Sequence, residues 1–274
     1  MSDDTVSNSP NDAANNAIPI ESYELCWASI DALIDGLTAE QWQTSSLCEG
    51  WTVRDVVVHM GAVEHMISGE TPGSFTDAIP FQKVIEWMDD VKDLDDAALV
   101  ERYREVVSSR RSELASYDAG VVALPSMTPV GPKTYGRFLA IRVFDFWVHE
   151  QDIRVPLGLP GHGGGPAAEM ALDEIEISLP YIVGKKIGLP DGMGITVDLT
   201  GPVERTMHVK VDGRAGTVDS LDDPDVVLRA DSLTFALLAC GRIEPQRAID
   251  EGRITWAGDD TWGEAAASNL AFTM

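Results

Sequence analysis

The sequence predicts a bundle of antiparallel α-helices followed by a smaller α+β domain. Two observations support this prediction. Apolar residues recur every three or four positions through residues 18–186, and beyond residue 195 they change to the period of β-strands. A loop rich in glycine and proline at 188–194 separates the two patterns. We therefore expect the bundle at 18–187 and the α+β domain at 190–274.

The first helix is preceded by a polar stretch. Residues 1–17 are rich in Asn, Asp and Ser, and almost free of large apolar groups, so we expect a disordered tail. The helix itself is indicated by an apolar stripe at helical spacing. Its members are Tyr23, Cys26, Trp27, Ile30, Leu33, Ile34 and Leu37.

The remaining helices of the bundle are predicted in the same way. Thr52 followed by Asp55 is a variant of the capping box, and it predicts a helix that ends before Gly69. The segment 122–133, which contains Pro129 and Pro132, is expected to be irregular. Further helices are predicted at about 81–89, 95–117, 134–155 and 167–185.

The C-terminal part alternates short strands with short helices. An Asp-Gly pair at 212–213 is a hairpin signal, and Asp231 is placed to cap a helix that runs to Cys240. Strands are predicted at 195–200, 205–211 and 225–229, and two more helices at 244–250 and 261–272.

Charge and cysteine content exclude several classes of function. The 274 residues include 45 acidic and 20 basic side chains, which gives a formal net charge of −25. Such a surface repels nucleic acid and anionic membranes. There is no apolar run long enough to span a bilayer and no CxxC pair among the three cysteines. We also expect no signal peptide, because the N-terminal residues lack a basic start and an apolar core. We therefore expect a cytoplasmic protein, monomeric or homodimeric, with a small-molecule substrate.

Two histidines and an aspartate are candidate metal ligands. Asp145 and His149 are one helical turn apart, so they lie on the same helix face, and His59 belongs to another predicted helix. Two imidazoles and one carboxylate form the ligand set of open catalytic zinc sites. The structural alternative is that His59 is an ordinary core residue and that the carboxylates pair with Arg142 and Arg154. The spacing leaves both interpretations open.

Two segments resemble a known family. The sequences CEGWTVRDVVVHM at 48–60 and DFWVHEQDIR at 145–154 are similar to the mycothiol-dependent maleylpyruvate isomerase family, which belongs to the DinB-like metal-binding helical bundles of actinobacteria. The resemblance spans most of the chain. It implies a DinB-like four-helix bundle and a sterol-carrier-like C-terminal domain.

The resemblance also implies a site and a chemistry. The family's metal ligands, usually for zinc, correspond here to His59, Asp145 and His149, although the carboxylate is often Glu in the family. A divalent metal and mycothiol are thus the implied cofactors, and the implied substrate is a small electrophile. The reaction would be an isomerisation of the maleylpyruvate type or a thiol S-transfer.

Other residues are assigned supporting roles. Asp152 is expected to orient an imidazole of the site. An anionic substrate or thiol conjugate needs cations, for which Arg110 is the first candidate and Arg242 and Arg253 are others. Cys26, Cys48 and Cys240 are expected to be inert.

Two functions without turnover remain as alternatives. One is a metal-containing binding protein for a small apolar or thiol ligand. The other is a scaffold in which the site is vestigial.

Overall fold

A computed structural model describes residues 19–74 and 79–273, which form two compact units. The first unit contains the described residues up to Trp42, together with Arg54–Phe146. The second contains Gln43–Val53 and the described residues from Trp147 onward. The tail predicted at 1–17 lies outside the described residues, and the boundaries predicted for the two domains remain predictions.

The first unit is helical, as the apolar periodicity predicts. The residues that α1 buries are the predicted stripe up to Ile34, together with Ser22. Asp95 caps α5 by accepting a hydrogen bond from the backbone N–H of Ala98. The helices are α1 (Ile20–Ile34), α2 (Ala39–Trp42), α3 (Val53–Ile67), α4 (Gln82–Val91), α5 (Asp96–Ser116) and the first half of α6 (Tyr135–Leu157).

A β-hairpin precedes α6 where an irregular segment is predicted. Strands β1 (Pro125–Thr128) and β2 (Gly131–Thr134) pair antiparallel. Thr128 closes the turn, because its hydroxyl donates to the carbonyl of Gly131, which has a φ of 92°. The prolines obscure this hairpin in the sequence, since they are depleted in strands.

The second unit is built on a five-stranded sheet in the order β5-β4-β3-β6-β7. Its neighbouring strands are antiparallel, except that β3 and β6 run parallel. The predicted Asp-Gly signal forms the β4–β5 hairpin, in which Asp212 pairs with Arg214. The strands are β3 (Gly194–Thr200), β4 (Arg205–Asp212), β5 (Arg214–Thr217), β6 (Val226–Asp231) and β7 (Ile254–Gly258).

The second half of α6 and four further helices complete the described part of the second unit. Asp231 caps α8, as predicted, by accepting a hydrogen bond from the backbone N–H of Thr234. Helix α7, predicted as the fifth helix of the bundle, contacts β4, β5 and α8 in the structure, because its apolar face meets the sheet. The helices are α7 (Pro166–Tyr181), which continues as a π-helical turn at Ile182–Ile187, α8 (Ser232–Ala239), α9 (Pro245–Asp250) and α10 (Asp260–Ser268).

The structure thus confirms the predicted fold class of a helical region followed by an α+β domain. Across the described ranges, no helix has both the length and the apolar character needed to cross a membrane.

Candidate metal centre

His59 and Asp145 approach each other in the first unit. The buried stripe of α3, which includes Val56 and Met60, fixes the rotation of that helix and brings His59 to the edge of the core. His59 Nε2 lies 3.8 Å from Asp145 Oδ2, and each side chain is 29% exposed. Both side chains thus lie partly open to solvent at the edge of the core, although the Nε2 atom of His59 is itself buried.

Arg142 holds the same oxygen of the Asp145 carboxylate that faces His59. Its Nη1 donates a hydrogen bond of 2.5 Å to Asp145 Oδ2, from one turn earlier on α6. The guanidinium also lies over the ring of Phe146, 5.1 Å from its centroid. Burial acts to lower the pKa of Arg142, but the carboxylates of Asp145 and Glu64 outweigh burial and raise it. The guanidinium of Arg142 therefore stays charged beside Asp145.

His149 follows one turn after Asp145 on the same continuous helix. It is almost buried, and its Nδ1 lies 2.9 Å from Asp152 Oδ2. The carboxylate accepts this hydrogen bond from a protonated Nδ1, which leaves the lone pair of the neutral ring on Nε2. The ring of Trp51 stacks on the imidazole with the centroids 6.2 Å apart and the planes 16° apart. Trp51 and Asp152 thus fix the orientation and the tautomer of His149.

Asp152 is the centre of a polar cluster within the second unit. Besides His149, it accepts hydrogen bonds from Cys48 Sγ at 3.0 Å and from Arg242 Nε at 2.9 Å. Its burial acts to raise the pKa, but the hydrogen bond from His149, the charge of Arg242 and the hydrogen bond from Cys48 lower the pKa below its usual value. Asp152 is consequently an ionised, fully buried acceptor.

The loop before α3 brings Cys48 to this cluster. The backbone N–H of Leu47 donates to the carbonyl of Asp152, and the hydroxyl of Ser46 bonds to the carbonyl of Trp51. Cys48 Sγ also lies 3.7 Å from His149 Nδ1, and together with Asp152 these residues are a second group that could hold a metal. Cys48 was expected to be inert, and its 104-residue separation from Asp152 leaves no local sequence signal for the contact.

The three candidate arginines have different surroundings. Arg242 lies beside Asp152, and its side chain is 9% exposed. Arg253 pairs with Glu251 at 2.7 Å and is one-third exposed. Arg110 is fully buried and donates to Glu64 at 3.3 Å and to Glu113. None of the Arg110 side chain is exposed, whereas a small part of the Arg242 side chain is, so Arg110 is the least accessible of the three candidates for an anion.

Comparisons with known proteins identify related domains along most of the chain. Residues 23–154 match the family model of the mycothiol maleylpyruvate isomerase N-terminal domain. Residues 169–267 match that of the MDMPI C-terminal domain. The chain matches no protein in a search of curated proteins.

Two solved structures share the fold. One is a point mutant of the mycothiol-dependent maleylpyruvate isomerase, with 16% identity and a TM-score of 0.52, covering 87% of this chain and 91% of that one. The other is the mycothiol-dependent maleylpyruvate isomerase itself, with 16% identity and a TM-score of 0.50, covering 82% and 88%. At this identity the likeness shows a common fold.

Proposed function

The chain belongs to the mycothiol-dependent maleylpyruvate isomerase family, and from this premise we propose that it is a metal-dependent enzyme that uses mycothiol. The proposed reaction is an isomerisation of the maleylpyruvate type or a transfer of the thiol to an electrophile. The proposed metal is a divalent ion, zinc in the first place, and the proposed location is the cytoplasm.

The observation that carries this proposal is the position of Asp145. Its Oδ2 lies 3.8 Å from Nε2 of His59, and His149 follows it by one turn on the same helix. Two imidazoles and one carboxylate fit a zinc ion with an open coordination position. We therefore propose His59, Asp145 and His149 as the metal ligands.

The surroundings of His149 support this assignment. Histidines that bind a metal generally donate their other ring N–H to a carboxylate or a carbonyl, which fixes the tautomer and makes the ring a better ligand. Asp152 receives Nδ1–H of His149 in this way, and the pKa of its carboxyl is lowered as such a role requires. Asp152 is thus proposed to orient the ligand without touching the metal.

A divalent metal bound by these residues would lower the pKa of a thiol, and the resulting thiolate could attack an activated double bond. The chain's own contribution to substrate binding is cationic. Arg242 places a guanidinium beside Asp152, the residue that also bonds to His149, and we propose that an anionic group of the substrate or thiol is attracted there. Arg253 is a second candidate for binding the anion, but Glu251 already pairs with it at the surface and would compete with the anion.

Turnover on a panel of electrophiles tests the proposal. Zinc-loaded protein is incubated with α,β-unsaturated acids and other electrophiles, with and without mycothiol, and substrate, product and free thiol are measured. We expect conversion only with mycothiol. If the concentration of mycothiol is unchanged after conversion, the enzyme is an isomerase. If mycothiol is consumed, the enzyme is a transferase.

The variant His149→Ala should abolish this conversion, whereas His65→Ala should retain it, because His65 packs against Trp87. If no electrophile is converted and a lipid co-purifies in native mass spectra, the non-catalytic binding protein is the better description.

A further inference from the structure

Three charged side chains are buried together in the core of the first unit. Glu64 on α3 and Arg110 on α5 are fully buried, and Arg142 on α6 is 5% exposed. Burying an ion costs several kcal/mol unless a partner of opposite charge compensates for it. These residues are therefore retained in the core as a group.

The group forms a continuous line that ends at Asp145. Arg110 Nε donates to Glu64 Oε2 at 3.3 Å, and Arg142 Nη2 lies 3.6 Å from Glu64 Oε1. Through its Nη1, Arg142 then reaches Asp145, the proposed metal ligand. Each oxygen of Glu64 thus faces a different arginine, and Arg142 connects two carboxylates, one fully buried and one partly exposed.

The charge of Arg142 has two opposite effects on a metal at Asp145. The hydrogen bond fixes the carboxylate and favours binding, since a ligand held in place loses less entropy when the metal arrives. The positive charge of the guanidinium repels a divalent cation and disfavours binding. A negative charge on the far side of Arg142 reduces this repulsion and keeps the guanidinium in place.

We propose that Glu64 is a positioning residue for the metal ligand Asp145 and that it acts through Arg142. This inference rests on the metal site of the proposed function. Glu64 would touch neither metal nor substrate. It would hold the guanidinium that holds Asp145, and it would balance the charge of that guanidinium.

Stability alone is a weak explanation for this arrangement. Replacing a buried ion pair by apolar residues of similar size is often neutral or stabilising, so a helical core has no general need for such ions. Burial raises the pKa of Glu64, and its two arginines act against that rise because they favour the carboxylate. A role at Asp145 accounts for an ionic line that runs from the core to the edge of the site.

A double-mutant cycle on zinc affinity tests the inference. Dissociation constants are measured by competition with a chromophoric chelator for wild type, Glu64→Gln, Arg142→Met and the double variant. Glu113→Gln is the matched control, because Glu113 pairs with Arg110 at the end of the line far from Asp145. We expect Glu64→Gln to weaken zinc binding about 10- to 100-fold, which is typical of groups that support metal ligands, and Glu113→Gln to leave it unchanged.

The cycle also separates a route through Arg142 from a general loss of structure. In the Arg142→Met background, Glu64→Gln should cause little further loss of zinc affinity. The inference is overturned if Glu64→Gln binds zinc with the same dissociation constant as wild type. It is also overturned if Glu64→Gln lowers zinc affinity by the same factor in wild type and in Arg142→Met.

A second variant covers the case in which Glu64→Gln does not fold. If Glu64→Gln does not fold by circular dichroism, Arg142→Lys replaces it, since lysine keeps the charge but cannot bridge two carboxylates with a planar fork. Unchanged zinc affinity in that variant also overturns the inference. Wild-type protein that fails to bind zinc overturns the proposed function and this inference together, whereas zinc binding that is insensitive to residue 64 overturns the inference alone.

Discussion

At the scale of single residues, Asp152 organises more of the site than any proposed metal ligand does. It accepts hydrogen bonds from His149, Cys48 and Arg242, each from a different part of the second unit. Its two oxygens accept from different donors. Oδ2 faces the imidazole of His149 and the thiol of Cys48, and Oδ1 faces the guanidinium of Arg242. An ionised carboxylate is suited to this role because it accepts several hydrogen bonds at once.

The variant Asp152→Asn tests this role. An amide keeps the shape of the carboxylate but removes its charge, so His149 Nδ1–H loses a strong acceptor and Arg242 loses its counter-charge. We expect zinc affinity to fall about 10- to 100-fold, measured by chelator competition. Asp173→Asn serves as the control, because Asp173 pairs with Arg205 at the surface. Equal zinc affinity in Asp152→Asn and wild type would show that Asp152 does not support the site.

Residue spacing predicts part of the candidate site and leaves the rest hidden. Asp145, His149 and Asp152 share one helix, so their proximity follows from helical geometry. Arg110 interrupts an apolar stripe, a signal that fits a buried ion pair as well as an anion site, and the structure pairs it with Glu64. Glu64 falls four residues after the core residue Met60, so it interrupts the apolar stripe of α3 as Arg110 interrupts that of α5. Two opposite charges on two apolar stripes are the sequence signal for the Glu64–Arg110 pair.

At the scale of elements, Gly61 on α3 allows close packing against Trp87 on α4. A Cβ at Gly61 would collide with the indole of Trp87, whose Nε1 donates to the carbonyl of Val58 at 3.0 Å. The absence of a side chain at residue 61 thus lets the indole of Trp87 approach the backbone of α3, two residues from His59.

Gly61→Ala should therefore destabilise the protein. Alanine within a helix gains about 0.5–1 kcal/mol over glycine, but overpacking a core costs about 1–3 kcal/mol. We expect a net loss of about 1 kcal/mol or more in the free energy of unfolding, measured by urea denaturation. The control Gly36→Ala should cause no loss, because a Cβ there meets nothing within 4 Å. A Gly61→Ala protein as stable as wild type would refute the close packing.

The elements themselves were predictable to different degrees. Long helices such as α5 and α6 repeat their apolar pattern over many turns, so their bounds agree with the prediction to within about two residues. Strands β1, β2, β5 and β7 have four or five residues each, too few for a period to emerge. Strand β7 also pairs with β6, from which α8 and α9 separate it in the chain, and no local pattern encodes that contact.

At the scale of the whole molecule, the net charge of −25 acts on every approaching ligand. An anionic substrate is repelled at long range, and under the proposed function the metal and Arg242 would attract it locally. Because salt screens interactions beyond about 10 Å at 0.1 M, added salt weakens the repulsion more than the local attraction.

The capture of an anionic substrate should accordingly speed up with ionic strength. We expect kcat/KM for an anionic electrophile to rise between low and moderate salt, and kcat/KM for a neutral electrophile to stay level as the control. The comparison requires initial rates at several concentrations of a non-coordinating salt. A kcat/KM that falls with salt for the anion would mean that the site's own positive field dominates.

Metal stoichiometry tests the central claim, a metal held by His59, Asp145 and His149, most directly. Metal per protein chain is determined by elemental analysis after zinc loading and removal of excess ion, for wild type, His59→Ala, His149→Ala and the control His65→Ala. We expect about one zinc per chain in wild type and in His65→Ala, and a large loss in the other two variants. Wild type without zinc, or full zinc occupancy in His59→Ala and His149→Ala, would contradict the claim.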